Sequence, residues 1–427
     1  MPSTFLFLSA TLLLSLNLVR PFGLAISDWL YFGALGFAFV ETFSVERWHI
    51  SSWWRNPLLW AIAPILFGAV ISTMNSQNWP VALAEIVQQA FVISLFVSLA
   101  WIMVCRGRIA PVILALIASG VFTAGIVLLD SWTGSRLGPI LSGTPDVQFW
   151  GRYGGTLGHP NKLGYFLVLT TLLSIGELFS LRPSRTLLLR RLIWGALIAV
   201  QLFGIYSSGS VTAYLGLLLG VVVLTLSSKP IFTGVTRTLG IAIGAAMLVI
   251  VLMTLFNSAL MGSTSGFESN VIAQAVARVQ TITAESRLEG YTHAWNQITH
   301  NPWFGVGYDQ ISTSGISGSA RLLESSVHNS LLQVWYTGGL FAFVGWLAIY
   351  VLVGWMALRV ILQSRRNALS PLILSLAAAA LAILLMDQFQ DAIYQREKWL
   401  VIGLLVGVAL ELVRQERAAN MDMEAVR

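Results

Sequence analysis

The sequence has too little charge to cover a soluble domain of its length. Only 10% of its 427 residues are charged, whereas 56% are hydrophobic. A typical soluble protein carries roughly 25% charged residues. The mean hydropathy is +0.76. A chain of this composition has no means of facing water over its whole surface, so we conclude that it is an integral membrane protein.

Other features are also scarce, and each absence excludes a class of function. The single cysteine, Cys105, excludes an internal disulfide, and Cys and His residues do not occur at the spacings of a zinc site. No Walker A motif is present, which argues against an ATP-driven pump. The excess of Lys and Arg over Asp and Glu, 25 to 19, suits cytoplasmic anchors of membrane helices. We therefore expect no nucleic-acid partner.

Long apolar runs predict an all-α fold, a polytopic bundle of about twelve membrane-spanning helices with a partly helical long outer loop. A bilayer core of about 30 Å requires ~20 apolar residues per helix. We treat residues 1–427 as a single membrane domain. The predicted spans are Thr4–Leu18, Gly23–Phe43, Leu58–Met74, Val81–Val104, Pro111–Leu129, Leu163–Leu181, Leu192–Tyr206, Ala213–Leu226, Leu239–Phe256, Thr337–Val360, Pro371–Met386 and Leu400–Val413.

The distribution of Lys and Arg predicts that both chain ends are cytoplasmic. Cytoplasmic loops carry an excess of these residues, and the groups around Arg106 and Arg190 fall inside if the N-terminus is inside. Two longer loops, Asp130–Lys162 and Asn257–Val327, then lie outside. Polar residues accumulate in both without an anchoring role. We therefore expect the active site in outer loops 130–162 and 257–327.

The first outer loop ends in WGRYGGTLGHPNKLG, residues 150–164. Glycines permit tight turns and the close approach of a ligand. Arg152, His159 and Lys162 supply three potential cations, and Asn161 supplies an amide, beside the start of the sixth predicted span. Helix N-termini attract anions. The alternative is a glycine-rich turn whose cations reach the lipid headgroups.

The second outer loop contains ESRLEGYTHAWNQITHNPWFGVGYDQ, residues 285–310. Ser286 and Glu289 have the spacing of a capping box, which predicts a helix that starts there and stops before Asn301. Steps of four, three and four put on one face of this helix Arg287, Tyr291, Ala294 and Ile298. The alternative to a binding helix is one that lies on the membrane surface with a snorkelling arginine.

Arg321 and the segment SSVHNSLLQVWYTGGL, residues 325–340, lead from this loop into the next span. His328 and Asn329 stand where the chain re-enters the lipid, a depth at which polar groups are costly unless they are paired or hydrated. A neutral histidine that caps the helix is the alternative. A last outer cluster of mixed sign predicts mutual salt bridges among Asp387, Asp391, Arg396, Glu397 and Lys398.

Cations on the outer side are not expected from the positive-inside rule, so their presence there needs a functional explanation. A pyrophosphate attached to a long lipid supplies one, because arginine guanidinium groups match phosphate oxygens bidentately. The outer loops also lack a convincing carboxylate cluster for a divalent ion. We therefore expect no metal and no cofactor.

Four segments, in this order, resemble the O-antigen ligase/polymerase superfamily, which includes exopolysaccharide polymerases. They are GTLGHPNKLG, SSGSVTA, R-x7-W followed by NPWFGVGY, and HNSLLQVWYTGG. The resemblance implies a membrane-embedded glycosyltransferase on the outer face of the bacterial cytoplasmic (inner) membrane. Its donor is a glycan linked to undecaprenyl pyrophosphate, and its acceptor is another glycan or lipid A-core. Membrane lipid surrounds it, and no nucleotide sugar or metal is needed.

The resemblance also implies roles for individual residues. Arg287 holds the pyrophosphate, and His328 lies beside the acceptor as general base, with Glu289 and Asp309 as alternative bases. Val211 stands where the family often has Arg or Lys, and we nominate Arg152 as the substitute. The further residues that we expect to bind substrate are His159, Asn161, Lys162, Tyr291, Trp295, Tyr308, Arg321 and Asn329.

Two activities within the family, and one class outside it, stay open. The S-x-T form of the SSGSVTA turn favours a polymerase of repeat units over a ligase that transfers finished glycan. A lipid or sugar transporter is the third alternative. Transporters place charges at mid-membrane, whereas the predicted spans hold few charges, with Glu85 and Glu177 as exceptions.

Overall fold

The computed structural model describes residues 2–16, 25–44, 56–142, 148–149, 152–227, 283–310, 327–367 and 369–425. These residues form a helical bundle, which confirms the predicted fold class. The helices are α1 (Pro2–Leu12), α2 (Ile26–Ser44), α3 (Pro57–Ser72), α4 (Trp79–Cys105), α5 (Ile109–Thr133), α6 (Leu137–Ser142), α7 (Pro160–Ser180), α8 (Leu187–Ser208), α9 (Val211–Ser227), α10 (Thr283–His300), α11 (Ser330–Asn367), α12 (Pro371–Met386) and α13 (Arg396–Ala425).

Short elements add to the helices in the outer segments. Residues Gln148–Phe149 (β1) and Arg152–Tyr153 (β2) pair as an antiparallel ribbon, with Phe149 opposite Arg152. The chain makes 3₁₀ turns at Thr73–Asn75, Gly155–Leu157 and Tyr308–Gln310. The first outer loop is therefore partly structured by α6 and the ribbon, which the apolar pattern did not predict because neither element buries a long apolar face.

Among the described residues, six helices are long and apolar enough to cross a membrane. They are α3 with its 3₁₀ turn, α4, α5, α7, α8 and most of α11, and three shorter apolar helices are α1, α9 and α12. Large apolar side chains such as Leu188 and Trp60 remain exposed on the outside of the bundle, as expected of a surface that faces lipid. The predicted span Leu239–Phe256 lies outside the described residues, so the count of twelve stays a prediction.

The bundle interior combines apolar packing with close helix contacts. The middles of α4, α7, α12 and α13 are almost entirely buried. Gly68 of α3 faces the backbone of Ala342 in α11 so closely that a Cβ atom at this position would clash with it. Small residues at helix interfaces allow such approaches in membranes, where packing rather than the hydrophobic effect holds helices together.

Polar contacts mark the two ends of the bundle. At one end, which we call the site end, α7, α11 and α13 begin and α8 and α12 finish, with Asn161, Ser208 and Asp387 among its residues. At the opposite end Arg106 of α4 lies 3.0 Å from the carboxylate of Glu41 in α2. The distribution of Lys and Arg predicts that the site end faces out.

Helix α11 is interrupted at Gly339, where φ is +72°. The NPWFGVGY segment after α10 fills this break: the Leu340 N–H donates to Pro302 O (3.0 Å), and the Val306 N–H donates to Tyr336 O (3.0 Å). These bonds satisfy backbone groups that lose their helical partners at the break. Two segments that are far apart in sequence are thus joined through their backbones, and α10 is held against the start of α11.

Several predicted boundaries need correction. Helix α1 ends at Leu12 rather than at Leu18, α8 begins at Leu187 rather than at Leu192, and α13 covers Arg396–Ala425 rather than Leu400–Val413.

The tenth span was predicted to begin at Thr337, but α11 begins at Ser330 because polar side chains pair with the loop after α12. The capping box at Ser286 was wrong, because α10 already begins at Thr283. The predicted end before Asn301 is confirmed.

Candidate functional site

Arg152 joins two of the sequence segments at the site end. Strand β2 positions it so that Nε donates to the Ser208 carbonyl (2.6 Å) and Nη2 donates to Asn161 Oδ1 (2.6 Å). Its side chain also lies against Gly209, which has φ +54°. The guanidinium therefore stands beside the turn that carries Val211, the position at which the family often has a cation and this chain has none.

His159 is the N-cap of α7. Its Nδ1 accepts a hydrogen bond from the Asn161 N–H (3.1 Å). Burial, together with the positive charges of Lys162 and Arg152 and the nearby His328 ring, lowers the pKa of His159 to about 3. The ring is therefore neutral at pH 7 and carries its proton on Nε2. His159 acts here as a cap rather than as a cation, whereas Lys162 is exposed.

His328 immediately precedes Asn329, the residue that caps α11. Its φ is +45°, and within the described ranges no other non-glycine residue has a positive φ. This conformation costs about 1–2 kcal/mol for an L-residue, and such strain concentrates at functional sites. Asn329 Oδ1 accepts from the Leu332 N–H (2.9 Å), and its Nδ2 donates to Gln388 O (3.2 Å). His328 is half-buried.

A buried ion pair fixes the start of α11. The Lys398 ammonium pairs with Asp387, and neither side chain is exposed. The Asp387 carboxylate also accepts from the hydroxyls of Tyr165 (3.0 Å) and Tyr350 (2.8 Å). The Asp387 carbonyl accepts from the Ser330 N–H (2.9 Å). The backbone beside His328 is therefore held by Asp387, and Asp387 is held in turn by its ion pair with Lys398 of α13.

The predicted mutual salt bridges of the last outer cluster are confirmed for one pair and wrong for Arg396, because its partner comes from another helix. Lys398 pairs within the cluster, whereas Arg396 pairs with Asp28 of α2 (3.2 Å).

Sequence reasoning missed the two tyrosines that complete the site of Asp387. Their signal was weak. Tyr165 stands near the start of an apolar span, where tyrosine is common at the membrane interface, and Tyr350 lies in the middle of another span, where it reads as an apolar side chain.

A groove between α10 and α11 brings three of the predicted substrate-binding residues together. Its volume is about 390 Å³, and it is lined by Tyr291, Thr292, Trp295, Asn329 and Leu332. Trp295 is 53% exposed and meets Trp335 edge-to-face at 6.0 Å. The groove opens beside His328, the residue that precedes Asn329.

The predicted face of α10 is buried against protein rather than lying on lipid. Ala294 and Ile298 pack with Val327 and Tyr336 at the start of α11. This contact holds Tyr291 and Trp295 at the edge of the groove. The surface-helix alternative therefore does not describe this face within the residues that the structure covers.

Other predicted residues are placed elsewhere. Tyr308 is fully buried and donates to Gln89 of α4, so it does not line the groove. Asp309 Oδ2 accepts from the Asn78 N–H (2.9 Å) at the start of α4. Arg287 and Glu289 lie on α10, but their side chains lie outside the described part of the chain, as does the whole of Arg321.

The fold and this site define a multi-pass membrane protein with a polar, cation-bearing centre at one end of its helical bundle. Residues 195–347 match the family model described as O-Antigen ligase. The match includes Arg287, the groove and His328, while Arg152 and His159 precede it. This match, over part of the chain, supports the assignment to the O-antigen ligase/polymerase superfamily that was made from the motifs.

The family match gives the chain an O-antigen ligase/polymerase-type function, and members of this family are glycosyltransferase-like enzymes. Lipid-linked glycan and lipid A-core are the partners of the family in general. A comparison with curated proteins finds no match to the chain.

Proposed function

We propose that the chain transfers glycan from an undecaprenyl-pyrophosphate-linked donor on the outer face of the cytoplasmic membrane, and that it polymerises repeat units of a surface polysaccharide. The observation that carries this proposal is the convergence at the site end of His328, His159 and Arg152. His328 and Arg152 both act electrostatically on His159, so two segments distant in sequence, residues 152–161 and the start of α11, supply polar groups to one region beside the groove.

In the proposed reaction an acceptor hydroxyl attacks the anomeric carbon of the donor glycan. The new C–O bond forms as the bond to pyrophosphate breaks, and the lipid pyrophosphate leaves with the electron pair. His328 accepts the hydroxyl proton. Arg287 and Arg152 stabilise the charge that develops on the leaving group. Arg321 and Lys162 are further cations for the pyrophosphate.

The groove suits a glycan better than a phosphate. Tyr291 and Trp295 offer aromatic surface on which the apolar face of a sugar ring stacks, and Asn329 adds a polar edge. His159 and Asn161 hold the first turn of α7 beside this region, while Tyr308 supports it through the packing of NPWFGVGY. The prenyl chain of the donor lies along the exposed apolar helices.

A ligase that transfers finished glycan to lipid A-core is the alternative. The S-x-T form of the SSGSVTA turn favours the polymerase, whereas the description of the matching family favours the ligase. Deletion of the gene, followed by electrophoresis of the surface glycan, separates the two. Single repeats that remain on the anchor indicate a polymerase, and loss of every attached repeat indicates a ligase.

The chemical activity is tested with the purified full chain, a lipid-pyrophosphate glycan donor and excess EDTA. We expect transfer with release of undecaprenyl pyrophosphate, because arginines supply the positive charge that a metal provides in other transferases. Activity that requires added magnesium or manganese contradicts this mechanism. Movement of the donor across a vesicle membrane without transfer identifies a transporter instead.

A further inference from the structure

A second polar cavity lies at the site end, between the first turn of α7 and the loop that joins α12 to α13. Its volume is about 100 Å³, and its polar lining comprises Lys162, Asp391, Tyr394, Gln395, Arg396 and Glu397. None of these residues belongs to the groove between α10 and α11. The space is too small for a glycan repeat but large enough for the hydroxyl groups along one edge of a sugar ring.

Two acceptor side chains on this cavity have fewer hydrogen-bond donors than their oxygen atoms can accept. Oε1 of Gln395 is buried without a hydrogen-bond partner among the described residues, and the buried carboxylate of Asp391 accepts there from the backbone of Ile393 alone. Gln395 is 8% exposed. A buried acceptor without a partner destabilises a protein by about 1–3 kcal/mol. Two such side chains on one cavity therefore indicate that further donors arrive with a ligand.

The charges around the cavity restrict the chemical class of ligand that it can bind. Burial raises the pKa of Asp391 to about 6, although the positive charge of Lys162, the backbone hydrogen bond from Ile393 and the positive charge of Lys398 oppose this effect. Asp391 is therefore ionised at neutral pH and accepts hydrogen bonds. Glu397 adds a second carboxylate, which disfavours phosphate, and the nearby cations Lys162 and Arg396 disfavour a metal ion.

We propose that this cavity is a subsite for a vicinal diol of the acceptor sugar. Two adjacent hydroxyls donate to Asp391 and Gln395, and their oxygen atoms accept from the Lys162 ammonium. This inference rests on the proposed glycosyl transfer, which requires a hydroxyl-rich acceptor.

The position of the subsite suits the acceptor. The backbone N–H of Ala392, the residue after Asp391, donates to Ser330 Oγ (3.2 Å). Ser330 begins α11 two residues after His328, the proposed base. A sugar held at Asp391 therefore lies on the His328 side of the site end, where the attacking hydroxyl is needed.

A direct binding experiment tests the subsite. The full chain in lipid nanodiscs is examined by saturation-transfer NMR with methyl glucoside, methyl galactoside and methyl mannoside. We expect transfer to at least one glycoside in the wild type and its loss in Asp391→Asn and Gln395→Leu. Gln388→Ala is the matched control, because the Gln388 side chain bonds to its own helix at Leu384 O. Signals that persist in both variants, or that are absent from the wild type, overturn the subsite.

Thermal unfolding distinguishes a binding role from a structural one. Because the buried carboxylate of Asp391 has fewer donors than it can accept, Asp391→Asn is expected to unfold at the same temperature as the wild type or higher. A marked fall in the unfolding temperature of both variants means that the cavity is a solvated part of the fold, and it contradicts the proposal.

Transfer kinetics separate this inference from the proposed function. We expect Asp391→Asn to raise the acceptor KM about 10-fold or more, as loss of a hydrogen bond to a charged group does, with the donor KM unchanged. Wild-type transfer with an unchanged acceptor KM in Asp391→Asn rejects the subsite alone. Glycoside binding through Asp391 without any wild-type transfer rejects the glycosyltransferase and keeps the sugar site.

Discussion

The guanidinium of Arg152 donates a hydrogen bond of 2.6 Å to the side-chain oxygen of Asn161. This bond ties the ribbon after α6 to the first turn of α7, and a second bond from Arg152 reaches the carbonyl of Ser208. One cation therefore orders three segments around the turn that carries Val211. Its position allows it to serve both as a clamp of the fold and as the phosphate cation that the turn lacks.

Arg152→Lys is expected to weaken donor binding about 10- to 100-fold. A lysine keeps the charge but does not make both hydrogen bonds, to Ser208 and Asn161, that hold the guanidinium beside the turn, so it is not positioned to bond the phosphate in the same geometry. Loss of one hydrogen bond to a charged group costs about 1.5–3 kcal/mol of binding. The dissociation constant of the lipid-pyrophosphate donor measures the effect. Arg136→Lys, an exposed arginine of the same outer segment, is the control and should bind donor normally. Equal affinities in the two variants remove Arg152 from the donor site.

His159 is expected to make stability depend on pH. Its ordinary pKa is 6.5, and the folded chain lowers this to about 3. At pH values between about 3 and 6.5, His159 is protonated in the unfolded chain but not in the folded chain. The contribution of neutral His159 to the free energy of unfolding is therefore fully present above pH 6.5 and is lost as the pH falls toward 3. His159→Asn keeps the capping acceptor, so its unfolding temperature should match the wild type at pH 8 and fall less at pH 5. Parallel pH profiles contradict the burial of a neutral ring.

His328→Gly is expected to lose turnover without losing stability. Glycine adopts φ +45° without the steric cost that a side chain meets there, so the Gly variant should unfold at a higher temperature than His328→Ala. Both variants lack the proposed base, and both should bind donor normally. Thermal unfolding, donor binding and transfer rate are measured together. Weakened donor binding in both variants rejects the acceptor-side role.

Arg287→Lys is expected to lose about 100-fold or more in transfer rate. The family resemblance places this arginine on the donor pyrophosphate, and removal of one charge-stabilising contact costs about this much. Asn296→Ala, an exposed position on the same helix, is the control and should retain full rate. If Arg287→Lys is equally active, Arg287 is an interface anchor and the pyrophosphate clamp lies elsewhere.

The site end is expected to face the exterior. In a Cys105→Ser background, a cysteine at Asn296 on α10 should react with a membrane-impermeant maleimide in intact spheroplasts. A cysteine at Arg417, near the far end of α13, should react only after lysis. The two positions are exposed, so reactivity reports the side of the membrane. The reverse pattern contradicts the predicted orientation.

The sequence by itself determined the membrane class and the approximate positions of the helices. Pro371–Met386 was predicted with its observed ends, because an apolar run flanked by polar residues fixes where a helix enters and leaves the lipid. The end of α10 followed from Asn301-Pro302, since proline does not continue a helix. These features are local, and local composition decides them.

Only the tertiary structure decided how the site is assembled. The break of α11 at Gly339 exists because Pro302 and Val306 supply its hydrogen bonds, and no pattern around residue 339 names these partners. The pairing of Lys398 with Asp387, which fixes the start of α11 before any substrate binds, likewise depends on helices that meet in space. The shortage of donors to the oxygens of Asp391 and Gln395 became visible only when their neighbours were known. Periodicity predicts helices because each residue carries its own preference for lipid or water, whereas a binding site depends on which distant atoms remain without partners after the helices have packed.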